Sequence, residues 1–154
     1  MKIATLKNAF LTALFLVAAG HAGIAPAHSV SGALGNLAGA TDVYLITCSN
    51  EEGGNTPTYR LSTQVRDNAP VAAPPVSVLT SKDGKATNIM DNNGDGNSRY
   101  SSWVYNNRGN GIYTMIVTKS AAGAEKYTVE FHCQGPASSG YIHTGTIPRQ
   151  TQNQ

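Results

Sequence analysis

The sequence predicts an all-β fold, a sandwich or a barrel. Three observations carry this. No stretch after the N-terminal leader sustains a helical period, apolar residues recur at every second position, and Gly/Asn/Asp-rich turns punctuate the chain at short intervals. The turns are "EEGGNTP", "KDGK", "NNGDGN" and "NNRGNG".

Seven strands are expected in order. "DVYLITC" (42–48) places Tyr44, Ile46 and Cys48 on one face. "TYRLSTQVR" (58–66) alternates most clearly, with Tyr59, Leu61, Thr63 and Val65 opposite Arg60, Ser62, Gln64 and Arg66. "VSVLT" (76–80) follows a "PVAAPP" stretch that proline keeps extended. "ATNIM" (86–90) and "RYSSWVY" (99–105) flank an Asp/Asn/Gly loop. "IYTMIVTK" (112–119) and "KYTVEFHC" (126–133) read as a hairpin across "SAAGAE". On the last strand Tyr127, Val129, Phe131 and Cys133 share a face, which the cysteine marks as interior. Thr128, Glu130 and His132 then point outward. The closing "RQTQNQ" reads as a frayed polar tail.

The N-terminus has the layout of a secretory signal: Lys2 and Lys7, an apolar run from Ala9 to Ala19 broken only by Thr12, then small residues. The run is too short to span a bilayer. Ala25-Pro26-Ala27 fits the cleavage rule and is preferred over a cut after Ala22. The expected organisation is a signal peptide at 1–27, an N-terminal segment at 28–41, a sandwich at 42–147 and a tail at 148–154. The mature chain has 154 − 27 = 127 residues, enough for one domain with a core. Losing the two leader lysines takes Lys+Arg from 11 to 9, against 9 Asp+Glu. A near-neutral surface without a basic stripe argues against nucleic acid and against a membrane surface. The expected compartment is periplasmic or extracellular in a bacterium. There, Cys48 and Cys133 are expected to form a disulfide worth about 4–5 kcal/mol in the chain-entropy model. Two free thiols acting as metal ligands are the alternative. With both cysteines on inward faces, the bridge would tie the first strand to the last.

The opening "TDVYLI", the mid-chain "VSVLTSKDGK", then "GNGIYTMIVTK" and "AEKYTVEFHC" resemble the bacterial pre-peptidase C-terminal (PPC) domain over residues 42–133. That resemblance implies a jelly-roll-like antiparallel β-sandwich. The cysteine pair departs from the family pattern and no protease domain accompanies these strands, so the role of an appendage to secreted enzymes does not carry over.

Three groups of residues could carry chemistry. His28 becomes the first mature residue if the cut follows Ala27. Its free amine and imidazole would chelate Cu(II), and His132 and His143 would complete a nitrogen set if the disulfide brings the chain ends together. Asp91, Asn93 and Asp95, with Gly96 next, match the first half of a Ca(II) loop. Position 12 of that loop is Ser102 rather than glutamate, so a plain Asx/Gly turn competes with it. Trp103 and the seven tyrosines could form a surface row for sugar stacking, but most tyrosines fall on the buried phase and are expected in the core. No nucleophile elbow, zinc-protease helix, phosphate loop or dinucleotide fingerprint is present, and no organic cofactor is implied. The expected function is therefore a non-catalytic exported binding protein with histidine-held copper. Its partner is a metal ion or another exported protein. A structural or interaction module with at most a weak calcium loop is the alternative, and an N-terminal-histidine copper oxidase is a third option.

Overall fold

A computed structural model describes residues 28–51, 53–69, 74–93 and 98–154. The expected signal peptide at 1–27 and Asp95 of the expected calcium set lie outside the described residues. Within them the chain forms ten strands and no helix: β1 (His28–Leu34), β2 (Asp42–Ser49), β3 (Arg60–Ala69), β4 (Val76–Lys82), β5 (Lys85–Met90), β6 (Val104–Asn106), β7 (Gly111–Lys119), β8 (Glu125–Ala137), β9 (Gly140–His143) and β10 (Gly145–Gln152).

They build two antiparallel sheets. The front sheet runs β1-β8-β3-β6, with β9 also on β8; the back sheet runs β10-β2-β7-β4-β5. Thus β1 pairs with β8, β2 with β7, β3 with β6 and β4 with β5. The first eight strands are one long antiparallel hairpin rolled over on itself, which is the jelly roll. The hairpin tip is Asp83-Gly84, with φ of 46° and 72°. Two consecutive left-handed residues give the turn whose twist matches the strands it joins.

Period-two alternation sends Tyr44, Ile46 and Cys48 from β2, and Tyr113, Met115 and Val117 from β7, into the core. Leu61 and Val65 from β3, and Tyr127, Val129, Phe131 and Cys133 from β8, meet them from the front sheet. Cys48 and Cys133 are bonded, with Cα atoms 5.5 Å apart. Because Cys48 lies on the back sheet and Cys133 on the front, the disulfide staples the two layers through the core.

Several expectations are corrected here. The bridge joins β2 to β8, because a further strand precedes β2: residues 28–34 of the expected N-terminal segment are β1, paired with β8 from His28↔Phe131 to Leu34↔Glu125. The expected hairpin between 112–119 and 126–133 does not form. Its two strands lie in different sheets, and their connection crosses the end of the sandwich. The crossing is held by the buried Lys119, whose ammonium donates to the carbonyls of Gly35 and Gly123. The strand expected at 99–105 shrinks to Val104–Asn106. The polar tail is an edge strand: β10 pairs with β2 from Gly145↔Ser49 to Gln152↔Val43, with a bulge between Gln150 and Gln152. Its Pro148 is tolerated because an edge strand has one side free of partners.

Candidate binding groove on the outer face of the front sheet

Register places two rows of side chains on the outer face of the front sheet. One row is Tyr105–Ser62–His132, across β6, β3 and β8. The next is Arg60–Gln134–His143, across β3, β8 and β9. Trp103 precedes β6 by one residue and shares the phase of Tyr105. Together these side chains line a groove of about 250 Å³.

The groove is built from stacked rings. The Trp103 and His132 rings lie 5.4 Å apart at 41°, and His132 and His143 lie 4.4 Å apart at 22°. This layer explains why His132, on the outward phase as expected, is nevertheless only 6 % exposed. Its Nε2 meets the Glu130 carboxylate at 3.1 Å, and that carboxylate also accepts from Gln64 Nε2 at 2.6 Å. A carboxylate partner fixes the neutral ring's proton on Nε2, leaving Nδ1 as the bare nitrogen; that Nδ1 is buried without a hydrogen-bond partner. Burial depresses the His132 pKa, and the neighbouring His143 and His28 act in the same direction, against the Glu130 contact.

At the other end, Arg60 is clamped. Its guanidinium carbon lies 4.0 Å from the centre of the Tyr105 ring and 3.6 Å from that of Tyr141, and its Nε donates to Gln134 Oε1 at 2.8 Å. Tyr59 stacks on Tyr141 at 6.2 Å and 20°.

The three histidines of the copper expectation are neighbours, but they do not share one face. His132 and His143 stack outside. His28 follows the phase of its register partner Phe131, with ring centroids 6.3 Å apart. The His28 Nδ1 is also buried without a hydrogen-bond partner, and burial followed by His143 lowers the His28 pKa. Among the described residues no three His, Cys, Asp or Glu side chains gather into a metal-holding group. A metal must lie in the plane of each imidazole that binds it, and nearly parallel stacked rings point their nitrogens side by side rather than at one another.

Of the calcium set, Asp91 is 2 % exposed and serves the fold. Its Oδ2 accepts from the Asp67 amide at 2.8 Å; its Oδ1 accepts from the amide and the side chain of Asn93, each at 3.0 Å. Asn93 Nδ2 donates onward to the Tyr100 carbonyl at 2.9 Å. This is Asx-turn chemistry.

The expectation that the aromatics are core residues holds for three of the seven tyrosines, while Tyr100 and Trp103 are half-buried. Tyr44, Tyr113 and Tyr127 are buried, but Tyr59, Tyr105 and Tyr141 are 47 %, 41 % and 45 % exposed. Arg60, Ser62, Trp103, Tyr105, Gln134 and Tyr141 were not expected to form a site. The available signal was the phase of "SWVY": Trp103 and Tyr105 alternate with Val104, which puts both on the face away from the core. A larger hollow of about 470 Å³ near Leu37, Ala40 and Gln154 has almost no polar lining and no titratable side chain. Comparison with family models, curated proteins and solved structures finds no match for this chain.

Proposed function

We propose that this is an exported, non-catalytic binding protein whose ligand is a sugar ring held in the groove of the front sheet. One observation carries the reading: exposed aromatic faces stand over a polar floor on a disulfide-stapled sheet. Sugars are bound this way elsewhere, with the apolar face of the ring stacked on an aromatic and the hydroxyls met by fixed polar groups. Here Trp103 and Tyr105 offer the faces, and Ser62, Gln134 and His143 offer the polar atoms. The groove is smaller than the roughly 300–1,000 Å³ of pockets for drug-sized ligands, so it suits one ring rather than a chain. The disulfide and the signal layout support export. Amide chemical shifts of the mature protein should move along β3, β6, β8 and β9 on titration with a panel of monosaccharides, and Trp103→Ala should weaken binding at least tenfold without unfolding the sandwich. If no monosaccharide, neutral or acidic, shifts those strands, the reading fails and the alternative of a structural or interaction module takes its place.

The buried Nδ1 atoms of His28 and His132, neither with a hydrogen-bond partner, favour a second reading, Cu(II) binding by His28, His132 and His143. It requires the amine of a chain beginning at His28 and a turn of His143 out of its stack. Copper titration separates it: tight one-to-one binding lost in His28→Ala supports it, and equal affinity in both chains excludes it.

A further inference from the structure

We infer that the Arg60 end of the groove receives a carboxylate, so that the sugar bound there is an acidic one, a uronic acid unit. This rests on the reading of the groove as a sugar site. Arg60 carries a full charge, yet among the described residues the ion pairs are Lys82–Asp83 and Glu130–His132, and neither involves it. Glu130 lies four residues along β8 from Gln134, about 13 Å at strand rise. It is turned to Gln64 and His132, so it does not neutralise the guanidinium.

The clamp fixes what remains available. The Tyr105 and Tyr141 ring centres both lie within 4.0 Å of the guanidinium carbon and Gln134 takes its Nε, which leaves the terminal Nη groups as the donors for a ligand. That is the fork that meets a carboxylate with two parallel hydrogen bonds. Because the side chain is already immobilised, little rotamer entropy is lost when the anion arrives. A planar carboxylate presents its two oxygens in the plane of the guanidinium fork, which a tetrahedral sulfate matches less well. A uronic acid places a carboxylate on the rim of the ring that Trp103 and Tyr105 would stack.

The test compares galacturonate, galactose and galactose 6-sulfate against mature wild-type protein and the Arg60→Gln and Arg60→Lys variants, by NMR titration. Galacturonate should bind wild type at least tenfold more tightly than galactose, and sodium chloride should weaken only the acidic sugars. Arg60→Gln should abolish the preference while leaving weak galactose binding in the same strands. Arg60→Lys should restore it only in part, since an ammonium cannot form the paired contact. Retained galactose binding also shows that the variants fold. Equal affinities for galacturonate and galactose, a preference that survives Arg60→Gln, or tightest binding of the sulfated sugar would each overturn the inference while leaving the sugar reading intact. Shifts from none of the three would remove both.

Discussion

The imidazole rings of His132 and His143 stack with centroids 4.4 Å apart, and the indole of Trp103 lies tilted against His132 at 5.4 Å. Burial of the His132 ring in this stack disfavours its charged form. Burial lowers the pKa of His132, and that of His28, below the unfolded value of 6.5. The folded protein therefore holds fewer protons than the unfolded chain wherever these histidines titrate. Stability is full above about pH 6.5 and is lost as the pH falls through the depressed folded values. The melting temperature should decline from pH 7.5 to pH 5, and His132→Gln should flatten that decline. A melting temperature that rises on acidification would contradict the stack.

The disulfide gives a prediction of larger size. Cys48 and Cys133 are separated by 85 positions and covalently join two layers otherwise held by core packing and by buried hydrogen bonds such as Tyr127 to Asp42 and Asn106 to the Thr80 carbonyl. Cross-linking so long a loop contributes about 4–5 kcal/mol in the chain-entropy model. Intact mass should lie two hydrogens below the dithiol, and Cys48→Ala/Cys133→Ala should lower unfolding free energy by that order in denaturant titration. A loss under 1 kcal/mol would show that the sheets hold without the staple.

The alternation of β2, β3 and β8 was legible because each strand carries apolar residues on one phase and polar residues on the other. That is enough for the all-β class and the inward cysteines. Alternation does not say which sheet a strand joins, so β7 and β8 read as neighbours although Lys119 anchors a crossing between layers. It also fails where neither face is buried. β10 lies at an edge with its middle exposed on both sides, and "RQTQNQ" therefore shows no pattern. The groove was hidden for a related reason. Tyr59, Tyr105 and Tyr141 resemble the core residues Tyr44, Tyr113 and Tyr127 in type, and only long-range register shows which tyrosines meet Arg60 rather than the core.

Asp91 tests the loop after β5. Both carboxylate oxygens are taken by donors from Asp67 and Asn93, so the residue ties the loop to β3. Hydrogen bonds to a charged group contribute about 1.5–3 kcal/mol each, and Asp91→Ala should cost about 2–3 kcal/mol. The same engagement predicts that calcium at ~1 mM, the range of weak extracellular sites, leaves the melting curve unchanged. A calcium-dependent rise abolished by Asp95→Ala would restore the calcium loop.

A buried chain of hydroxyls ties Gln154 to the core through Asp42. Tyr127 donates its proton to Asp42 Oδ2, so Tyr44, 2.7 Å away, must donate in turn to the Tyr127 oxygen. Asp42 is fully buried, and its other oxygen accepts from the Gln154 amide at 2.8 Å. Burial and these contacts raise the Tyr127 pKa far above its ordinary value, which keeps the proton on the phenol. The tyrosine reaches this position because its register partner is Gly32, where a Cβ would stand 2.3 Å from the phenol oxygen. Tyr127→Phe leaves Asp42 Oδ2 and the Tyr44 hydroxyl unpaired together, at a cost of about 1–3 kcal/mol for each buried group. Tyr44→Phe removes only the end of the chain and should cost about 1 kcal/mol. Gly32→Ala leaves every polar group in place but displaces the phenol, at a cost of about 1–3 kcal/mol by overpacking. Denaturant titration should therefore rank the losses Tyr127→Phe above Tyr44→Phe, with Gly32→Ala also destabilised. In Tyr127→Phe the Gln154 amide should also exchange faster as Asp42 repacks. Equal losses in the two phenylalanine variants would show that the proton chain does not run from Tyr44 through Tyr127 to Asp42.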